Sequence, residues 1–309
     1  MDVSDLVKLK PDTLQVVLQE IGLGKPGEIE DAIEKLKEWI HQQPHFKKRD
    51  YHEHFLKTTI IMSGSLERAK KQIEKMCTMR TFCPKIFGVQ NVKKEFSYIL
   101  EHGSFITMPE ITDQNQRVFI ASVHGKISNS SQLTDFYRYG FCFGEYLKRH
   151  DCIGKYHYIF DLRQANMMEL LAVSNPLEMK QSFTILTECY GVKIKGIHFV
   201  TKSKLIESFF TILKQFLKPK MVQRLHHHSS TDTLVEIMGE KFLPSDLGGT
   251  GPSTRELHNK WVEALSSEES TKFFQEMNEA LIDESLRSTF ELSEEYAGMA
   301  GSFRTLTVD

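Results

Sequence analysis

Three short apolar stretches, at 117–123, 156–162 and 194–200, are separated by segments of helical periodicity around 132–149 and 176–189. Strands alternating with helices fold as an α/β unit with crossover connections, because a parallel neighbour is reached only through a dozen or more intervening residues. Upstream of about residue 84 the pattern is purely helical. Pro11-Asp12 precedes Leu14, Val17, Leu18 and Ile21, and Gly22 ends the series. A second helix at 28–43 carries Ile29, Ala32, Ile33, Leu36, Trp39 and Ile40 on one face, and two more follow at about 52–62 and 66–79. After Gly248-Gly249-Thr250-Gly251-Pro252 the pattern returns to helix, around 254–265 and 268–282, before a polar tail. The expected organisation is a helical N-terminal domain at 1–85, an α/β domain at 86–252 and a C-terminal helical extension and tail at 253–309.

A formal charge of −2 excludes a strongly basic nucleic-acid binder. No apolar run approaches the roughly 20 residues that span a bilayer, and residues 1–10 offer no signal-peptide core. Five cysteines without a Cys-x-x-Cys pair suit reduced thiols, so a cytosolic protein is expected. No phosphate loop, nucleophile elbow, zinc-protease helix or dinucleotide fingerprint is present, and Gly248 to Gly251 reads as a turn.

His226-His227-His228 invites a metal reading, but neighbours on an extended chain point to opposite faces. Only His226 and His228 would converge, and spacing nominates no third ligand; His52-Glu53-His54 is weaker still. The segment 205–217 is more informative, because it divides into two adjacent apolar stripes. One holds Leu205, Phe209, Ile212 and Phe216, the other Ile206, Phe210, Leu213 and Leu217. Taken alone it fits a core helix, a cover over a cavity or a helix lying on a bilayer. Eight basic residues (Lys193, Lys195, Lys202, Lys204, Lys214, Lys218, Lys220 and Arg224) surround it, against Glu207 alone. That arrangement suits an anionic membrane surface. Gly140 and Gly144 share one face of the 132–149 helix, leaving either close packing or room for a bulky ligand.

The run Lys193-Ile194-Lys195-Gly196-Ile197-His198-Phe199-Val200, the Phe-rich helix, Phe216-Leu217-Lys218-Pro219-Lys220-Met221, Arg224 to His228, and Phe242-Leu243-Pro244 to Gly249 resemble the core signature of the CRAL-TRIO lipid-binding family. The pattern is most similar to the α-tocopherol transfer protein, retinaldehyde-binding and clavesin branch. Phe160-Asp161-Leu162 and Leu66-Glu67-Arg68-Ala69 fit it too, and the ending from Gly301 to Asp309 resembles insect members.

The resemblance implies a helical N-terminal domain and an α/β domain whose sheet floors an apolar pocket under a gate helix at 205–217. Ile206, Phe210 and Leu213 would face the ligand, and Leu205, Phe209 and Ile212 the membrane. Tyr156, Tyr158 and Phe160 would form the floor, opposite Tyr137, Gly140, Phe141 and Gly144, with Ile185, Tyr190, Ile197 and Phe199 completing the lining. Lys193, Lys195 and Lys220 fall where that branch carries phosphoinositide-contacting residues. The branch's arginine-rich N-terminal stretch is replaced at 57–64 by Thr58-Thr59-Ile60-Ile61-Met62, and Tyr190-Gly191-Val192-Lys193 lacks the Pro-Glu pair of the yeast phosphatidylinositol-transfer branch. A neutral isoprenoid cargo is therefore expected over an inositol phospholipid. The implied function is a monomeric, non-enzymatic cytoplasmic carrier of a retinoid, carotenoid, tocopherol or similar lipid, without metal, cofactor or nucleic-acid partner, that associates reversibly with anionic membranes. The alternative is a phosphoinositide-dependent membrane-trafficking adaptor.

Overall fold

The computed structural model describes residues 5–287; the ending at 301–309 lies outside the described residues. Four helices open the chain, α1 (Thr13–Glu20), α2 (Glu28–Gln42), α3 (Glu53–Ser63) and α4 (Leu66–Phe82). Glu28, Glu30 and Asp31 occupy the first turn of α2, where the helix dipole favours negative charge. Ser65 caps α4 by accepting from the Arg68 N–H. Phe55, Leu56 and each residue from Thr58 to Met62 in α3 are buried, which is why this segment is apolar nearly all round.

Beyond them come α5 (Val92–Glu95), α6 (Ser97–His102), β1 (Gly103–Thr107), β2 (Arg117–Val123), α7 (Ser130–His150), β3 (Lys155–Asp161), α8 (Met167–Val173) and α9 (Pro176–Thr184). A π-helical turn at Ile185–Cys189 then leads to β4 (Lys193–Val200), α10 (Ile206–Lys214), α11 (Pro219–Val222), β5 (Leu225–His228) and α12 (Asp232–Met238). The sheet runs β1-β2-β3-β4-β5, with β1 antiparallel to β2 and the remaining pairs parallel. The three expected strands form its centre; the edges β1 and β5 are additions. The segment expected as one helix at 176–189 is α9 plus the π turn, and α10 stops at Lys214, three residues short of the expected gate.

Register decides which side chains reach each face. Tyr156 pairs with Ile194, but His157 pairs with Gly196, so Lys195 is the extra residue of a bulge. Ile194 and Ile197 therefore share one face with Tyr156 and Tyr158, which plain alternation would forbid.

Two buried ion pairs fasten the interior. Arg117 Nε donates to Asp151 Oδ2 at 2.9 Å, while Asp151 Oδ1 accepts from the Cys152 and Ile153 N–H groups. Arg80 on α4 pairs with Glu145 on α7, whose Oε1 also accepts from the Tyr190 hydroxyl at 2.7 Å. Near the C-terminus, α13 (Thr254–Leu265) and α14 (Glu268–Asn278) follow. Trp261 of α13 is fully buried, and its indole N–H points to the Thr107 carbonyl of β1 at 3.4 Å. The chain then returns to the first helices: Lys47 N–H donates to Leu281 O, Asp283 N–H to His45 O, and Ile282 N–H to Thr81 Oγ1.

Candidate ligand-binding site

Between one face of the sheet and α7, α9 and α10 lies a cavity of about 210 Å³. Its wall holds no Asp, Glu, Lys, Arg or His. The structure brings Tyr156, Tyr158, Phe160, Ile197 and Phe199 to it from β3 and β4, Tyr137, Gly140, Phe141 and Gly144 from α7, and Tyr190 and Leu213. The glycines reconcile both meanings of their spacing. A Cβ on Gly140 would sit 3.5 Å from the Phe105 ring and one on Gly144 3.7 Å from the Tyr190 ring, while both line the cavity. Rings rest on the bare helix, and the remaining space belongs to the cavity.

Four expectations change. Ile185 is fully buried inside the π turn, where its carbonyl accepts from the Tyr190 N–H, and it does not line the cavity. Ile206 and Phe210 are buried beside the cavity rather than in its wall, with the Phe210 ring packed edge-on to Phe199 at 5.3 Å. Phe209, expected to face the membrane, lines the cavity with Leu213 and Leu217. The two stripes of α10 are one broad face whose boundary is set by where the sheet lies, and Phe209 falls inside it. Of the other two outward residues, Leu205 packs half-buried against the core; Ile212 is half-buried without joining it.

Met62, Ser174, Ser182 and Leu217 are among the lining residues that the sequence reading did not nominate. Met62 comes from α3, so the N-terminal helices close part of the wall. Met179, Ser182, Phe183 and Leu186 also line it, and their i, i+3, i+4, i+7 spacing is a readable signal.

Lys193, Lys195 and Lys220 are exposed near the start of β4. The Lys193 ammonium is held below its usual range by partial burial and then by Lys155, with Arg68 and Lys195 adding to it. Lys195 is lowered likewise by burial, then by Lys155, Arg224 and Lys220. A Cβ on Gly64 would lie 3.4 Å from Lys193 Nζ and 4.0 Å from an Arg68 nitrogen. Arg68 of α4 thus stands beside Lys193, outside the 57–64 stretch.

On the opposite face of the sheet, His226 and His228 meet His157 and His198. His157 and His198 are hydrogen-bonded at 3.1 Å, His198 and His228 at 3.0 Å, and the chain ends on Gln116 Oε1 at 2.7 Å and Thr233 Oγ1 at 2.8 Å. Burial first, then His226 and Lys195, lowers His157 to about 4. Burial and the neighbouring histidines lower His198 to about 3. Both ring nitrogens of His157, His198 and His228 are engaged, and among the described residues no group of three or more His, Cys, Asp or Glu side chains has an arrangement that could hold a metal ion.

No helix among the described residues is long and apolar enough to cross a membrane. Residues 101–249 match the CRAL/TRIO domain family, and residues 25–96 match the Pinta-like, UBA domain family. Clavesin-1 of Rattus norvegicus is 30% identical over 94 residues, covering 30% of this chain and 25% of that protein. The alpha-tocopherol transfer protein-like protein of Homo sapiens is 32% identical over 76 residues, covering 24% of this chain and 22% of its own length. The chain therefore spans about a quarter of the curated relatives it matches.

Proposed function

The chain belongs to the CRAL/TRIO family, and from that membership we propose that it is a carrier that takes up one hydrophobic small molecule and exchanges it at membranes. The observation that carries this reading is the charge-free cavity roofed by a single amphipathic helix, α10. Cavities with apolar walls and a few polar groups are the usual form of a small-ligand site. A retinoid, carotenoid, tocopherol or similar lipid fits that chemistry, and no bond is made or broken. The name of the alpha-tocopherol transfer protein-like relative points the same way.

Exchange follows from differential burial. With α10 closed, Phe209, Leu213 and Leu217 cover the cargo; with it open, the same side chains enter acyl chains. At about 25 cal/mol per Å², a few hundred Å² transferred into lipid offsets several kcal/mol of opening cost. Ile212, together with Met168 at 71% exposure and Leu177 at 37% on the adjoining α8 and α9, offers apolar surface where the roof would meet a bilayer. The cluster of Arg68, Lys155, Lys193, Lys195, Lys220 and Arg224 would steer an anionic surface towards the protein. This cluster also favours a second reading, an adaptor whose function is binding an anionic membrane.

Native mass spectrometry of the purified chain, followed by organic extraction, separates the two. A stoichiometric apolar lipid, or uptake from a panel of retinoids, tocopherols and sterols, is the expected result. A chain that stays empty yet binds anionic vesicles would replace the carrier by the adaptor.

A further inference from the structure

Resting on the carrier reading, the geometry points to a cargo with one uncharged hydroxyl or carbonyl head, seated between Ser182 of α9 and Tyr137 of α7 in a cavity without charged side chains. Ser182 is 9% exposed, lines the cavity, and has a hydroxyl without a partner among the described residues. A buried hydroxyl in an apolar wall costs free energy unless something bonds to it, so an unpaired one at a ligand surface marks where the ligand supplies the partner. Tyr137 lines the same cavity, and among the described residues nothing pairs with its hydroxyl.

The two belong to helices tied at this point. Thr134, one turn before Tyr137, reaches Glu178, one turn before Ser182, at 3.4 Å. The Tyr137 phenol is raised well above its usual range by burial and then by the Glu178 carboxylate, which places that carboxylate within electrostatic reach. This sets the sign of the head group. With Glu178 close by and no basic side chain in the wall, a carboxylate head would be repelled and left without a counter-ion. An alcohol can both donate and accept, and a ketone or aldehyde can accept from both hydroxyls. A pure hydrocarbon would leave them unpaired.

The experiment is displacement of diphenylhexatriene, an apolar fluorophore, from the full chain by hexadecane, 1-hexadecanol and hexadecanoic acid. The readout is the alcohol-to-hydrocarbon potency ratio of the unchanged chain divided by that of Ser182→Ala or Tyr137→Phe, in which aqueous solubility cancels. An approximately tenfold drop in each variant is expected, with diphenylhexatriene binding retained as the sign of an intact cavity. The acid should displace more weakly than the alcohol in the unchanged chain. A ratio unchanged by both substitutions overturns the head-group assignment and leaves the carrier reading standing. So does loss of the alcohol preference in Tyr158→Phe, on the cavity floor, but not in Ser182→Ala. Failure of the unchanged chain to take up diphenylhexatriene or any competitor overturns the carrier reading, and this assignment with it.

Discussion

The ring of Phe209 meets the ring of Phe199 edge to face, with centroids 5.7 Å apart and planes at 66°. The roof helix and the sheet floor are thus in direct aromatic contact across one side of the cavity. Such pairs contribute about 0.5–1.5 kcal/mol beyond the area they bury, which helps hold α10 shut.

Placing a charge at the two faces of α10 should have different results. Phe209→Asp puts a carboxylate into the cavity wall and should reduce cargo uptake at least tenfold. Ile212→Asp should leave uptake within about twofold and weaken vesicle binding roughly tenfold, the equivalent of losing one partly inserted aliphatic side chain. Cargo loading and liposome flotation, measured on both variants, distinguish these effects; equal losses of cargo uptake would reject the division of faces.

Gly140 tests whether the space beside α7 is used. Gly140→Ala adds a methyl at ordinary contact distance from Phe105 and should be neutral or stabilising by up to about 1 kcal/mol, because alanine favours the helix. Gly140→Leu should fill the cavity and remove stoichiometric cargo while the chain still melts cooperatively. Mass spectrometry and thermal unfolding read the two effects.

The histidine chain predicts an acid-side loss of stability. A histidine held at about 4 or 3 when folded, against roughly 6.5 unfolded, binds fewer protons in the native state throughout that window. Stability is therefore complete above about pH 6.5 and falls as pH drops towards the folded values, with a slope of up to about 1.4 kcal/mol per pH unit for each such group. His198→Gln should be destabilising at pH 7, by about 1–3 kcal/mol, because two neighbouring rings lose partners. It should also show a shallower decline between pH 6.5 and 4, measured by urea unfolding.

Lys148 gives the same sign of effect in a more alkaline window. It is 1% exposed, its ammonium has no hydrogen-bond partner among the described residues, and burial lowers it to about 7. The Phe55 ring, 5.0 Å away, does not replace three lost hydrogen bonds. Between about 7 and the unfolded value near 10.4 the unfolded chain holds the extra proton, so stability should rise with pH across that window. Lys148→Met should raise stability at pH 7 by at least about 1 kcal/mol and remove that rise. A variant less stable than the parent would mean the amine has a role the packing does not reveal.

The centre of the sheet was legible because β2, β3 and β4 are short runs of aromatic and β-branched residues between helical segments. The edges were not. β5 is Leu225-His226-His227-His228, whose imidazoles find hydrogen-bond partners outside the strand, His228 on His198 and Thr233 and His227 on the Thr201 carbonyl, which is not written in local sequence. The bulge at Lys195 left no trace in the alternation, yet it puts both Ile194 and Ile197 on the cavity face. On α10 the spacing gave the width of the apolar face but not which edge meets the sheet, so Phe209 was turned outwards. The wall contributed by α9 is written in the sequence as a helical stripe, Met179, Ser182, Phe183 and Leu186.

Met62 brings a last point. It reaches the cavity from the helices that precede the sheet, while the residues at 281–283 bond back to the same bundle from the other end of the described chain. A fragment cut to the α/β segment would leave a hole in its own container. The smallest unit able to hold a cargo is thus larger than the segment that carries the family signature, and any minimal version would have to keep both flanks.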